Sequence, residues 1–250
     1  MIQDTHAHLD LIENKDVQEL LTKTKEIELN TIISCSTSFT SNQKNLELAK
    51  DYTIIKPAIG LYPLNALELN EEELKRAFDF FEKEIKNSIA IGEVGLDFKF
   101  STKFEEQEKQ KQIFIKFIEL SKKYDKPLII HSRFAQRQVI ELLEKNNAQK
   151  VQLHSYTDSQ KLMQKAVNLG YYVSCGMNVL YNLEVQKNII SFPIEKLLLE
   201  TDSPMIFNNE KATPLNVKTI AQKISELKKI PLNELEEQLN KNFQLLYHQK

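Results

Sequence analysis

Short apolar runs alternate with segments of helical periodicity along the whole 250-residue chain. Eight of these runs have the length and the β-branched or aromatic content of buried strands. They cover residues 1–5, 31–36, 52–60, 89–95, 127–132, 151–155, 171–176 and 197–202. Apolar strands that alternate with helices are typical of repeated βα units, so the pattern predicts a parallel sheet.

The segments between the runs carry apolar residues three and four positions apart, which is the spacing of one buried helix face. Two such stripes are Leu74, Phe78, Phe81 and Ile85, and Phe114, Phe117, Ile118 and Tyr124. Two more amphipathic segments follow the eighth run and are separated at Pro231. We interpret these stripes as the faces that cover the sheet, with no cofactor role implied.

Eight strands that alternate with helices predict a (β/α)8 TIM barrel, and the barrel would use nearly the whole chain. We therefore expect one domain over residues 1–250. An open doubly wound sheet is the alternative, but the glycine-rich phosphate-binding motifs of such sheets are absent. Of only five glycines, four stand at predicted strand ends, where backbones approach closely: Gly60, Gly92, Gly95 and Gly176.

The composition and charge limit which partners and which compartment we expect, but they do not identify a function. The chain has 33 basic and 35 acidic residues, so it has no global positive field for nucleic acid or for an anionic membrane. Its two cysteines, Cys35 and Cys175, lie in apolar runs and are expected to be buried and reduced. Without a leader sequence or a long apolar run, we expect a cytoplasmic protein with no membrane contact. No obligate protein partner is indicated.

Histidines and carboxylates gather at the predicted C-terminal strand ends. Parallel strands of a barrel bring these ends to one face, even when they are far apart in sequence. The residues at these ends are His6, His8, Glu93, His131, His154 and Asp202. The remaining histidine, His248, lies in the last predicted helix.

Strand alternation places His6 and His8 on the same side, where both can reach one ion. Imidazoles combined with carboxylates suit zinc and other divalent ions, and Glu93 has two oxygens with which to bridge two of them. The second ion would take His131 and His154. The sequence thus predicts a centre for divalent ions, with zinc, magnesium and manganese all compatible with the ligand set.

Five segments, in order and at these distances, resemble the signature blocks of the TatD family of metal-dependent hydrolases, many of which are deoxyribonucleases. They read DTHAHLD, AIGEVGLDF, PLIIHSR, VQLHSYTDS and LLLETDSP, and the resemblance runs from residue 2 to about residue 247. It implies an amidohydrolase-type barrel with one or two divalent ions. It also implies that His6, His8 and Asp202 bind the first ion, that Glu93 bridges, and that His131 and His154 bind the second.

The sequence departs from the family pattern after the third strand. The family usually has G-x-H-P-H there, whereas residues 60–64 read GLYPL, with Tyr62 and Leu64 in place of the histidines. In the family these histidines lie where substrate phosphate is held, so the departure leaves the ion ligands intact and opens the question of substrate. Asp158, where a glycine is common, adds negative charge near the same site.

The leading hypothesis is hydrolysis of DNA phosphodiester bonds, as an exonuclease on single strands or ends. Asp202 would act as general base and ligand, beside the bridging Glu93, and a role as ligand alone is the alternative for Asp202. Asp97 and Glu200 are candidates to hold histidine rings, with a cap or a surface charge as the equal alternative for each. The substrate candidates are Arg133, for which a structural salt bridge is an equal alternative, and Tyr62, for which packing under the loop is the alternative.

Two other functions stay open at this point. The same ions would also serve hydrolysis of a small ester, amide or lactone, as in other amidohydrolase-type barrels. Many of those barrels bridge their ions with a carboxylated lysine, whereas Glu93 occupies that place here. A non-catalytic scaffold that carries metal is the third hypothesis, and the complete set of six ligands argues against it.

Overall fold

The protein, described here from a computed structural model over residues 1–155 and 159–247, contains one eight-stranded parallel sheet. Its strands pair in chain order, each with the next. They are β1 (Ile2–Ala7), β2 (Leu29–Cys35), β3 (Ile55–Ile59), β4 (Ala90–Asp97), β5 (Leu128–Arg133), β6 (Val151–Leu153), β7 (Tyr172–Cys175) and β8 (Leu197–Leu199).

Helices connect these strands and pack outside them. They are α1 (Asn14–Lys23), α2 (Phe39–Asp51), α3 (Pro63–Glu68), α4 (Glu71–Glu84), α5 (Phe104–Tyr124), α6 (Gln136–Lys145), α7 (Gln160–Asn168), α8 (Asn178–Tyr181), α9 (Leu183–Ser191), α10 (Val217–Lys228) and α11 (Leu232–Tyr247). The predicted stripes on α4 and α5 face the sheet, where Phe81 and Phe117 are buried. Pro231 separates α10 from α11, as predicted.

The sheet closes on itself between its first strand and the segment after its last. Ala7 forms a parallel bridge with Ser203, and the amide of Asp202 donates to the carbonyl of His6 at 2.9 Å. The buried carboxylate of Asp4 accepts from the amide and the hydroxyl of Thr201 at 3.0 and 2.5 Å. These bonds join the two edges, and the predicted (β/α)8 barrel is confirmed.

α11 closes the barrel end opposite the predicted site. Its Phe243, Leu246 and Tyr247 pack against inward-facing residues of β2 to β5, β7 and β8. The hydroxyl of Tyr247 donates to Gln152 inside the barrel. Because this end is filled, the opposite rim is the open end of the barrel.

Four predicted strands are longer than the observed ones: residues 52–60, 151–155, 171–176 and 197–202. Residues 52–54 are excluded from β3 because α2 runs to Asp51 and the amide of Tyr52 caps it by bonding to Leu48. β8 ends at Leu199 because Thr201 bonds across to Asp4 and Asp202 takes a left-handed φ of 54°.

A short hairpin follows β8 and was not predicted. It pairs β9 (Ile206–Phe207) with β10 (Glu210–Lys211). Asn208 and Asn209 form its turn with positive φ of 47° and 65°, which asparagine tolerates better than most residues.

Both cysteines are buried and free, as expected. Burial raises the pKa of both thiols. In the part of the chain that the structure describes, no helix has the length and apolar character needed to cross a bilayer.

Candidate metal centre

The structure brings the six predicted ligands together at the open rim. His6, Glu93 and His131 lie in β1, β4 and β5, whereas His8, His154 and Asp202 follow β1, β6 and β8. Their nitrogen and oxygen atoms form three overlapping groups in which all ligand atoms lie within 4.8 Å of one another. The groups are His6, His8 and Glu93; His6, His154 and Asp202; and Glu93, His131 and His154.

The first cluster has the dimensions of a metal coordination shell. The Nε2 atoms of His6 and His8 face each other at 3.1 Å, a short distance for two nitrogens that both need a partner. Glu93 Oε2 lies 3.7 and 3.5 Å from these atoms, and Asp202 Oδ1 lies 3.7 and 3.4 Å from them. Four ligands at zinc-bond length in a tetrahedron stand about 3.3 Å apart, so these donors fit one ion.

The second cluster uses the other oxygen of Glu93. Oε1 lies 2.7 Å from Nδ1 of His131 and 3.9 Å from Nε2 of His154. The two oxygens of one buried carboxylate therefore face two separate sets of imidazoles. This is the arrangement that a bridging carboxylate requires.

Local backbone structure allows Glu93 and His131 to meet. Gly95 has a φ of +143°, and a Cβ at this position would overlap the carbonyl oxygen of His131. Glycine at residue 95 thus permits the close approach of β4 to β5 at the level of the site.

Carboxylates hold two of the rings from behind. Glu200 accepts from Nδ1 of His154 at 3.0 Å and from the Ser174 hydroxyl at 2.6 Å. Asp97 Oδ2 lies 3.2 Å from Nε2 of His131. Such contacts fix the tautomer and the orientation of ligating histidines.

The other two rings are held differently. Nδ1 of His8 lies 3.0 Å from the carbonyl of Cys35. His6 stacks on His154 with ring centroids 3.6 Å apart, and its buried Nδ1 has no hydrogen-bond partner among the described residues. Packing rather than a hydrogen bond therefore orients His6.

The charges of the cluster polarise its ionisable groups. Burial alone would lower the pKa of His8, but Asp202 and Glu93 outweigh it and raise the value to about 9. For His154, Glu200 likewise outweighs burial and raises the pKa to about 10. Burial and the neighbouring His154 hold the pKa of His6 well below its usual value. Protonated imidazoles and carboxylates therefore lie side by side in the centre, and an ion that binds there would have to displace imidazole protons.

The site opens into a cleft of about 320 Å³ lined in part by Tyr62, His131, Arg133 and Asp202. Three larger clefts lie elsewhere: two of about 580 and 510 Å³ beside Phe39 on the outer wall, and one of about 390 Å³ beside Tyr247. None of the six candidate ligands lines any of these three. The chemistry is therefore confined to the smaller cleft at the barrel mouth.

A family model described as "TatD related DNase" matches residues 3–248. The chain belongs to this family. Human deoxyribonuclease TATDN3 is 29% identical, with 96% of this chain and 92% of the relative covered. The metal-dependent hydrolase YabD of Bacillus subtilis is also 29% identical, with 99% of both chains covered.

The solved structures agree with the TatD assignment. The crystal structure of the TatD homologue YjjV from Escherichia coli K12 superposes with a TM-score of 0.90 at 25% identity, covering 100% of this chain and 98% of that one. A TatD family hydrolase from Entamoeba histolytica has the same fold, with a TM-score of 0.88 at 23% identity and coverage of 99% and 98%.

Tyr62, at the predicted departure from the TatD pattern, contacts the candidate metal centre. The Tyr62 hydroxyl donates to Asp97 Oδ2 at 2.5 Å and lies 3.4 Å from Nε2 of His131. Leu64 lies on α3 and does not line the cleft, whereas the next residue, Asn65, does. Asn65 was not predicted as a site residue. Its only signal in the sequence is that it is a polar residue directly after the GLYPL block.

Arg133 lies at the cleft with its side chain exposed. Its guanidinium carbon stands 5.4 Å from the centroid of the Phe100 ring. Among the described residues no carboxylate lies within ion-pair distance of it, so the salt-bridge alternative has no partner there.

The sequence reasoning missed Asp4, which closes the barrel directly behind the site. An aspartate in the middle of a predicted buried strand was its signal. Asp158 and His248, by contrast, lie outside the described residues.

Proposed function

We propose that this TatD family protein hydrolyses phosphodiester bonds in DNA with two divalent ions, as an exonuclease on single strands or ends. The observation that carries the proposal is Glu93, whose two oxygens face two different sets of histidines. Two ions about 3.5–4 Å apart suit the attacking and leaving oxygens of a phosphodiester. The deoxyribonuclease names of the family and of the human relative support DNA as substrate.

In this proposal, His6, His8 and Asp202 hold the first ion and His131 and His154 hold the second, with Glu93 shared. The mixed imidazole and carboxylate set is compatible with Zn²⁺, Mg²⁺ or Mn²⁺. Glu93 presents one oxygen to each set of imidazoles and would help to hold both ions, so it belongs to the catalytic machinery as well as to the ligand set.

Asp202 is the proposed general base. Its side chain is 19% exposed and opens to the cleft, whereas that of His8 beside it is 5% exposed. A divalent ion, when bound, lowers the pKa of its water from 15.7 to about 7. Asp202 can then accept the proton of water that enters from the cleft, and it passes that proton on toward solvent.

Arg133 and Tyr62 are the proposed substrate contacts. A guanidinium has a planar fork that matches two phosphate oxygens, and Arg133 has no competing carboxylate among the described residues. The Tyr62 hydroxyl donates to Asp97 and is therefore not available to the substrate. The Tyr62 ring instead forms part of the cleft wall against which the substrate lies.

A panel of chromogenic substrates tests the reaction class. Protein loaded with Zn²⁺, Mg²⁺ or Mn²⁺ in turn is given bis(p-nitrophenyl) phosphate, p-nitrophenyl acetate, an acyl anilide and a lactone. We expect turnover of the phosphodiester alone, and loss of that turnover in His131→Ala. Turnover of the acetate, anilide or lactone without the phosphodiester would place the protein among the ester or amide hydrolases instead. Bound ions with no turnover of any substrate, oligonucleotides included, would indicate a scaffold.

A further inference from the structure

The loops that follow β4 and β5 begin side by side at the rim of the cleft. Asp97 pairs with Arg133 at the end of the two strands, and the amide of Phe98 donates to the carbonyl of Arg133 at 2.8 Å. Phe100 lies two residues beyond this joint on one loop, and Phe134 lies one residue beyond it on the other. Both residues therefore follow closely on this joint, and His131 lies two residues before Arg133 in the same strand.

These loops expose two aromatic rings. Phe100 is 59% exposed and Phe134 is 72% exposed. Phe134 also has a φ of +58°, a left-handed conformation that is unfavourable for a bulky residue other than glycine. A strained residue whose ring is exposed to solvent does not contribute to packing. Strained residues of this kind concentrate at ligand-binding sites.

Positive charge accompanies the rings. The Arg133 guanidinium carbon and the Lys99 ammonium each lie 5.4 Å from the Phe100 centroid. Cation–π contact of this kind aligns Arg133 while leaving its hydrogen-bond donors unspent. Because Arg133 also lines the cleft, its contact with Phe100 lies next to the candidate metal centre.

We propose that Phe100, Arg133 and Phe134 form a platform that holds unpaired DNA outside the metal centre. Phe134 stacks on an exposed base, and Arg133, aligned by Phe100, binds the adjoining phosphate. Single strands are the occupant because a duplex buries its base faces, whereas aromatic rings beside cations are the usual recognition device for unpaired bases. The platform extends the proposed function and rests on it for the identity of the substrate.

Binding measured without cleavage tests the stacking role. Metal-loaded protein is titrated into fluorescent single strands with phosphorothioate linkages, whose integrity is checked afterwards on a gel. A strand of normal bases, an abasic strand of equal length and a duplex are compared by anisotropy. We expect the normal strand to bind at least about 5-fold more tightly than the abasic strand and the duplex, the lower end of the stacking contribution per base.

Phe134→Ala should remove this difference between normal and abasic strands. Phe134→Gly is the second variant, because glycine relieves the left-handed backbone and keeps the loop folded. Leu245→Ala is the control, since Leu245 is 58% exposed on α11 at the other end of the barrel. If both Phe134 variants keep the wild-type preference for normal strands, the stacking role is wrong.

Salt dependence tests the phosphate contact separately. For a single strand, loss of one phosphate contact reduces the slope of log K against log salt concentration by about 0.7. Arg133→Ala should show this reduction, and Arg76→Ala, an exposed arginine on α4, should not. An unchanged slope in Arg133→Ala would overturn the assignment.

These results are distinguishable from failure of the proposed function. If the wild type cleaves DNA but binds normal and abasic strands equally, the platform is wrong and the nuclease stands. If it shows base-dependent binding that both Phe134 variants lose, yet cleaves nothing, the platform stands and the nuclease is wrong.

Discussion

At the scale of single residues, Tyr62 is connected to the candidate metal centre. Its hydroxyl reaches Asp97, and Asp97 in turn holds His131. Tyr62→Phe keeps the ring and removes this donor, so His131 loses part of its support. Because loss of an outer partner of a metal ligand costs roughly 10- to 100-fold in affinity, we expect the second ion to bind about 10-fold more weakly.

Chelator-competition titration of the two ions measures this effect. Tyr181→Phe is the matched control, since that hydroxyl bonds the exposed Glu210 outside the site. Weakening confined to the second ion is the expected result. Equal weakening of both ions, or of neither, would show that Tyr62 does not act through His131.

Protons compete with the ions for the same imidazoles. Burial lowers the pKa of His8, but Asp202 and Glu93 raise it to about 9 in the metal-free protein, so the ring is protonated at pH 7. An ion must displace that proton, and affinity should rise as pH increases from 6 toward 9, by about tenfold per pH unit for each proton released. Titrations at pH 6, 7, 8 and 9 measure the slope. An affinity independent of pH would show that neither His8 nor His154 gives up a proton.

At the scale of elements, the contact of β4 with β5 depends on Gly95. A Cβ there would overlap the carbonyl of His131, and its φ of +143° disfavours any side chain. We expect Gly95→Ala to lower the free energy of unfolding by about 1–3 kcal/mol or more, the cost of forced overpacking. Urea denaturation of the metal-free protein measures it.

Gly170→Ala is the control for the backbone effect. Gly170 also has a positive φ of 85°, but no atom lies within 4 Å of an added Cβ. Its substitution should therefore cost only the backbone strain, about 1 kcal/mol. Equal losses in the two variants would mean that the close approach of β4 to β5 is not what Gly95 provides.

The sequence predicts elements better than their ends. The alternation of apolar runs with helical stripes was enough to predict the eight strands, because parallel strands that are buried on both faces are mostly apolar. The early end of β8 follows from the bonds between Asp4 and Thr201, 197 positions apart, which no local pattern encodes. The hairpin after β8 is too short for a period to be visible.

The same limit applies to the candidate site. Strand direction alone was enough to predict that six distant ligands meet, since the C-terminal ends of barrel strands share one rim. Two details of the site depend on side-chain rotamers, which periodicity does not encode. They are the use of separate oxygens of Glu93 and the contact of Tyr62 with Asp97.

At the scale of the whole molecule, ions should stabilise the barrel because their ligands come from β1, β4 and β5 and from the segments after β6 and β8. An ion at 100 times its Kd adds about 2.7 kcal/mol to the folded state. For a chain of this size we expect removal by a chelator to lower Tm by about 5–10 °C. Differential scanning calorimetry measures the shift, with His131→Ala showing a smaller one. An unchanged Tm would contradict ion binding across the strands.

Cleavage of a 5′-labelled single-stranded oligonucleotide, followed over time, tests the central claim that this ion centre hydrolyses DNA. Metal-free protein is supplied with Mg²⁺, Mn²⁺ or Zn²⁺ in turn, and Asp202→Asn is run beside it. We predict a ladder of shortened products that requires the ion and falls roughly 10²- to 10⁴-fold in rate in the variant, as expected for loss of a general base. An intact oligonucleotide with two ions bound, or a ladder of equal rate in Asp202→Asn, would contradict it.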